Sequence, residues 1–286
     1  MELITDPAEL QNSLDQMRAD GKSIGLVPTM GFLHRGHLSL IKRAVAENDV
    51  VITTIFVNPL QFAANEDLST YPRDIEKDSS LCLEAGTTKL FTPANEEMFC
   101  DTVLTSISVT VLSSVLEGIT RPTHFSGVAT VVSKLFNIVG PCRSYFGEKD
   151  WQQLQIIKKM VTDLSYRVEV IGCPIIRDDD GLALSSRNVY LSDDEREVAA
   201  IIPQALHYAH GKVKSGERQS QLLKDSIIEQ LQKSSLVSID YVEVVNGDSL
   251  EPVTTVDAQT RILVAVRVGS ARLIDNINAL VGINTA

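Results

Sequence analysis

Long apolar runs are missing from this sequence. No segment approaches the roughly 20 residues that a membrane-spanning helix needs, so no membrane association is expected. The opening Met1-Glu2-Leu3-Ile4-Thr5-Asp6-Pro7 has no basic stretch followed by an apolar run, so a secretory leader is not expected and a cytoplasmic location is. Cysteine is sparse. Cys82, Cys100, Cys142 and Cys173 match neither a zinc knuckle nor a redox pair in their spacing. Reduced, structural thiols are the expectation, and no protein-held metal. Basic residues are in deficit, with 26 Lys and Arg against 37 Asp and Glu and a net charge of −11. That balance speaks against a nucleic-acid surface, which needs clustered cations to displace counterions. It still permits a local positive pocket for a small anion. Internal repeats and low-complexity stretches are absent as well.

What is present suits a well-buried core: 44 % of the 286 residues are hydrophobic, enough length for two domains. Up to about residue 175, strand-like and helix-like segments alternate. Strand-like runs cover 22–27, 50–57, 89–92, 144–146 and 167–172. Helix-like runs cover 36–48, 73–85, 127–139 and 150–164, with Leu38, Ile41 and Val45 at helical spacing in the first. Short connections between them predict a doubly wound α/β fold, a parallel sheet covered on both faces. After Ile176 the rhythm changes. A polar segment over 177–192 leads to Ser192 and Glu195, spaced as a capping box. Helix-like sequence follows over 193–213 and 219–233, and then two strand-like runs, 239–245 and 261–268, expected as an antiparallel pair. The predicted organisation is a Rossmann-like domain over 1–176 and a smaller α+β domain over 177–286.

Four segments carry candidate chemistry. Pro28-Thr29-Met30-Gly31-Phe32-Leu33-His34-Arg35-Gly36-His37 lies between the first strand and the next helix. The carboxyl end of a parallel strand is where ligands bind, and free N–H groups at the helix start are expected to face the same crevice. Gly31 and Gly36 allow a tight turn. His34 and His37 can both donate to phosphate oxygens, where charge builds as pyrophosphate leaves; the alternative is that both merely cap the helix. Leu184-Ser185-Ser186-Arg187-Asn188 groups two hydroxyls with a guanidinium that suits phosphate, or is a solvated loop. Phe146-Gly147-Glu148-Lys149-Asp150-Trp151-Gln152-Gln153 offers a compact charge at Lys149 and a ribose or cap partner at Asp150, or is a capped helix start. Phe56-Val57-Asn58-Pro59-Leu60-Gln61-Phe62 presents Gln61, an uncharged donor and acceptor fit for a hydroxylated molecule, or a loop amide facing water.

Taken together and in order, the chain closely resembles the pantothenate synthetases. The phrases that carry this are 28–37, Ile-Phe-Val-Asn-Pro-Leu-Gln-Phe (55–62), Tyr-Pro-Arg-Asp (71–74), Gly-Val-Ala-Thr-Val-Val (127–132), Phe-Gly-Glu-Lys-Asp (146–150) and Leu-Ser-Ser-Arg-Asn (184–188). The resemblance implies a reaction in which ATP and pantoate give pantoyl adenylate and pyrophosphate. The amine of β-alanine then takes the acyl group, releasing AMP and pantothenate. Mg²⁺ would accompany ATP, and a homodimer formed through the N-terminal domain is expected. By motif, Met30, Gly31, Phe32, Leu33, His34, Arg35, Gly36 and His37 are expected to line the ATP site, with His37 the proton donor. Gly147, Glu148, Lys149, Asp150, Ile176, Leu184, Ser185, Ser186 and Arg187 are expected to bind ATP too. His34, Lys149, Ser185, Ser186 and Arg187 join His37 in the expected catalytic set. Gln61 and Gln153 are expected to bind pantoate, with Gln61 also at the β-alanine position. The C-terminal domain is expected to act as a lid that shields the anhydride, with 177–188 as its hinge.

The sequence departs from the family pattern at Arg35, Thr123, Trp151 and Leu184, and none of these departures removes a donor assigned to phosphate or substrate. Competing readings are a nucleotidyltransferase, which gives no reason for Gln61 and Gln153, a class I aminoacyl-tRNA synthetase, which the charge disfavours, and a non-catalytic nucleotide-binding module.

Overall fold

The computed structural model describes residues 1–64, 66–99 and 102–283; Cys100 lies outside the described residues. The chain divides into two compact units: Met1–Glu148 with Gln152–Cys173, and Lys149–Trp151 with the chain from Pro174 on.

The first unit runs β1 (Glu2–Ile4), α1 (Pro7–Ala19), β2 (Ile24–Thr29), α2 (Arg35–Glu47), β3 (Val50–Ile55), α3 (Ile75–Ala85) and β4 (Lys89–Phe91). Short helices α4 (Asn95–Met98) and α5 (Glu117–Thr120) follow, then α6 (His124–Val139), β5 (Cys142–Gly147), α7 (Trp151–Asp163) and β6 (Val168–Cys173). All six strands are parallel, in the order β1-β4-β3-β2-β5-β6. The doubly wound α/β expectation is therefore met. Every residue of β3 is β-branched, a side-chain type that favours strands, and its burial along both faces suits a central position. The core joins Val27, Leu40, Ile41, Val51, Leu90 and Tyr145 across these elements. Helix α3 starts at Ile75 rather than near Arg73 because Asp74 caps it, accepting from Lys77 N. It ends at Gly86, which takes the left-handed conformation at φ 94°.

From β2 the chain builds through β3 to β4, then restarts beyond β2 with β5 and β6. The switch point lies between β2 and β5. In open α/β sheets this is where ligands bind, outside the carboxyl ends of the strands. The segments leaving those ends are Met30–His34 and Glu148.

The second unit carries α8 (Asp193–Ala199), α9 (Ile201–Lys214), α10 (Ser220–Leu231), β7 (Val237–Asn246), β8 (Thr260–Val268) and β9 (Ala271–Asn278). Its antiparallel sheet, ordered β7-β8-β9, packs with the helices around Leu206, Leu223, Ile227, Val264 and Val266. The Ser192–Glu195 capping box is present. The run expected over 193–213 is two helices rather than one. They break at Ala200, and Pro203, three residues on, has no N–H to bond back across the break. The expected strand pair is a three-stranded sheet. Its third strand, β9, carries Arg272, Asp275 and Asn276, so it reads as polar although Asp275 and Asn276 are buried.

One close approach ties α6 to the loop after β3. A Cβ on Gly127 would stand 2.2 Å from Leu60 O and 2.6 Å from Gln61 N. Gly127→Ala is expected to lower stability by about 1–3 kcal/mol, the range for overpacking. Unchanged urea unfolding in that variant would mean the helix and loop do not meet so closely.

Candidate active site

The turn after β2 is built from side chains that take up its backbone N–H groups. Thr29 Oγ1 donates to Thr54 O at 2.6 Å and accepts Gly31 N at 3.1 Å. Gly31 has φ 84° and Phe32 φ 51°, two successive left-handed residues, the second of them not glycine and therefore uncommon. Asp78 holds them: its Oδ2 accepts Phe32 N and its Oδ1 accepts Leu33 N, both at 2.7 Å. Only 1 % of Asp78 is exposed, and burial pushes its carboxyl above the ordinary carboxylate range.

Helix α2 then starts on its two histidines. Gly36 N donates to His34 Nδ1 at 3.1 Å, and His34 N donates to His37 Nδ1 at 3.3 Å. The rings lie 4.0 Å apart between centroids. This corrects one expectation from the sequence. The amides of Gly31, Phe32, Leu33, His34 and Gly36 are not free at this turn but are taken by side chains. Capping and donation are nonetheless compatible. An Nδ1 that accepts carries no proton, so each imidazole holds its proton on Nε2. Arg35 sits exposed at the first position of α2.

Gln61 is 8 % exposed and firmly held. Asn58 Nδ2 donates to its Oε1 at 3.0 Å, and its Nε2 lies 3.0 Å from Met30 Sδ, which brings Gln61 against the turn. Its backbone carbonyl accepts from His124 Nδ1 at 3.0 Å and Arg121 Nη2 at 3.5 Å. Arg121 also pairs with both oxygens of Glu66, at 2.6 and 2.7 Å. A cavity of about 300 Å³ opens beside the turn, lined by Met30, Gly31, Asp78, Arg73, Thr92 and Asn95 among others. Neighbouring glutamines on α7 divide their work. Gln152 is buried, donating to Leu112 O and Val115 O and accepting from Glu117 N. Gln153 is half-buried. Gly147 and Glu148 end the first unit's β5 segment.

In the second unit, residues 176–184 form a tight hairpin. Leu184 N donates to Ile176 O at 3.0 Å, and Gly181 turns at φ 88°. Arg177 reaches from it to the carboxylate of Asp275 on β9, at 2.6 and 2.8 Å. The next residue on β9, Asn276, donates Nδ2 to Lys149 O at 2.9 Å. One strand thereby anchors both the hairpin that carries Ile176 and Leu184 and the segment that carries Lys149 and Asp150. Ser185 Oγ accepts Arg187 N at 3.3 Å, and Ser186 is buried. Trp151 donates to Gly247 O at 2.7 Å, with the Arg261 guanidinium 3.3 Å from its ring centroid. Thr123 precedes α6 without a side-chain cap.

The structure thus brings Gln61 against Met30 of the turn in the first unit, and in the second ties the hairpin of Ile176 and Leu184, through Arg177, and the Lys149 carbonyl to β9. Sequence reading missed Asp78, Asn58, His124, Gln152, Asp275 and Asn276. Asp78 left one signal, an acidic residue on the face of α3 that also holds Cys82 and Ala85. Among the described residues no group of three or more His, Cys, Asp or Glu could hold a metal ion, and no helix is long and apolar enough to cross a membrane. Cys82, Cys142 and Cys173 are unpaired thiols.

A turn carrying two histidines at the carboxyl end of a central strand, beside the switch point of a doubly wound sheet, marks an α/β protein with its ligand site at that end of the sheet. A family profile described as pantoate-beta-alanine ligase matches residues 2–278, and the chain belongs to that family. It is a ligase. Pantothenate synthetase from a Sulfurihydrogenibium species is 50 % identical over 97 % of this chain and 99 % of its own. That from Caldicellulosiruptor saccharolyticus is 48 % identical over 94 % and 96 %. The crystal structure of the Thermus thermophilus pantothenate synthetase superposes with a TM-score of 0.93 at 44 % identity, covering 98 % and 99 %. A Francisella tularensis pantoate-beta-alanine ligase, solved with a β,γ-ATP and β-alanine, gives 0.80 at 33 %, covering 99 % of each chain.

The Gln61 loop carries a pH consequence. Burial, and then the charge of Arg121, lower the pKa of His124 from 6.5 to about 4. Between those values the unfolded chain binds more protons. The contribution is therefore full above pH 6.5 and is lost as pH falls through about 4, of order 1–3 kcal/mol. Urea unfolding at pH 7 and pH 5 is expected to show a smaller loss for His124→Gln than for the parent. Equal losses would remove His124 from this account.

Proposed function

We propose that this chain condenses pantoate with β-alanine at the expense of ATP. A pantoate carboxylate oxygen attacks the α-phosphorus, the bond to the β-phosphate oxygen breaks, and pyrophosphate leaves. The unprotonated amine of β-alanine then attacks the acyl carbon. The bond between that carbon and AMP breaks, the nitrogen loses a proton, and pantothenate and AMP depart. Family membership supports the reaction, and the observation that carries its placement is the capped histidine pair at the switch point.

In this reading the protons on His34 and His37 Nε2 meet phosphate oxygens as charge develops, and His37 is the proton donor. Met30–His37, Gly147–Asp150, Ile176 and Leu184–Arg187 bind ATP. Lys149, Ser185, Ser186 and Arg187 act on its phosphates. Lys149 is a compact charge and Arg187 a fork of donors, which suits them to that work. Gln61 and Gln153 hold pantoate, and Gln61 adjoins β-alanine. Asn58 and Met30 fix Gln61 before substrate arrives, which lowers the ordering penalty of binding. Mg²⁺ enters with ATP. It keeps several waters and binds through phosphate oxygens with at most a few carboxylates, so it needs no protein cage. Residues 1–176 bind ATP and pantoate, and residues 177–286 form a lid that keeps water from the anhydride. A cytoplasmic homodimer completes the proposal.

Isotope exchange between pyrophosphate and ATP is expected only when pantoate is present, with net AMP release only when β-alanine is added. Exchange without pantoate, or none with it, would sink the reading. His37→Ala is expected to slow that exchange by about 10²-fold or more, the effect of losing a donor to developing charge. An exchange rate like the parent's would reduce His37 to a helix cap.

A further inference from the structure

We propose that Asp78 is the positioning residue of the phosphate turn, acting more strongly on the adenylation half of the reaction than on the amine-transfer half. The inference rests on the reading of the turn given above.

Asp78 lies in the first turn of α3, 46 and 45 residues from the two amides it binds. Its neighbours Glu76 and Lys77 are exposed, whereas its own side chain is turned inward. An inward carboxylate is expensive unless its oxygens are satisfied. Here each oxygen accepts one backbone N–H. Those two amides belong to Phe32, which is held at positive φ, and to Leu33, the residue before the cap. Space enforces the same geometry. A Cβ on Gly31 would meet Ile55 Cγ2 at 2.9 Å and Asp78 Oδ2 at 3.0 Å. The carboxylate therefore decides the path of the chain from Gly31 to Leu33. That path decides where His34 begins α2, and so where both Nε2 protons point.

A carboxylate accepting two amides has no isosteric substitute. Asparagine keeps one acceptor but turns an NH₂ toward the second N–H, donor against donor. Asp78→Asn preserves volume and moves the turn. A misplacement of about 1 Å at a reacting centre lowers rates by roughly 10²-fold. The amine-transfer half starts from pantoyl adenylate, in which the β- and γ-phosphates are already gone. It does not use the imidazole donors to departing pyrophosphate, so it loses only what the shifted turn takes from the nucleotide and from the Met30 contact that holds Gln61.

The test measures both halves in full-length protein. Pantoate-dependent pyrophosphate exchange by D78N is expected to fall by about 10²-fold, while conversion of supplied pantoyl adenylate and β-alanine to pantothenate falls by less than about tenfold. Equal loss in both halves would make Asp78 a general structural residue, and undiminished exchange would remove it from the site; either overturns the proposal. If D78N does not fold, D78E decides. It keeps the charge and both acceptors but shifts them by about one C–C bond, ~1.5 Å, and predicts the same split. Absence of exchange in the unsubstituted protein would instead defeat the reading of the reaction.

Discussion

Four backbone amides between β2 and α2, and a fifth in the first turn of α2, bond to side chains rather than to a ladder or helix carbonyl, and the candidate site depends on how they are satisfied. Thr29, Asp78, His37 and His34 accept the N–H groups of Gly31, Phe32, Leu33, His34 and Gly36. Unsatisfied, buried amides cost about 1–3 kcal/mol each, so the turn cannot adopt its left-handed path without those acceptors. The solution has a chemical by-product. Using both imidazoles as acceptors at Nδ1 fixes their tautomer and makes them donors at Nε2. A helix start usually presents amides to anions. Here several of those amides are taken up by side chains, two of them by the imidazoles of His34 and His37.

That arrangement was partly legible. The doubly wound sheet follows from alternation of β-branched runs and helical periodicity, and the switch point falls where the sequence places its glycines and histidines. Strand β9 was not legible, because its buried Asp275 and Asn276 read as solvent-facing polarity. Their partners, Arg177 and Lys149 O, are 98 and 127 residues away. Asp78 was hidden for the same reason. Its two partners are backbone amides more than forty residues upstream, and backbone groups leave no mark in a residue pattern. Helix α1 escaped notice because only Leu10 and Leu14 are buried in it. Of the adjacent glutamines, sequence motif singled out Gln153. The structure explains why Gln152 cannot share its part: its amide is fully engaged by residues 112–117.

The proposed chemistry makes few demands on nucleophilic side chains, because both nucleophiles belong to the substrates. What it does demand is held geometry. Gln61 is pinned at its side chain by Asn58 and at its backbone by His124 and Arg121. Lys149 is pinned through its carbonyl by Asn276. Arg177 is pinned by Asp275. In each case the candidate residue lies outside the α-helices and strands, and part of its restraint comes from an ordered element, His124 of α6 for Gln61 and β9 for Lys149 and the 176–184 hairpin. Loops carry function when a rigid scaffold positions them. The net charge of −11 is compatible with this, since the cations that matter are local.

The central claim is that pantoate is activated as an adenylate. Pantoate labelled with ¹⁸O in its carboxylate tests this most directly. If the carboxylate attacks the α-phosphorus, one labelled oxygen leaves with AMP when the amine takes the acyl group, and mass spectrometry of AMP finds it there. Unlabelled AMP, with the departing labelled oxygen found instead in pyrophosphate, phosphate or water, would contradict the adenylate.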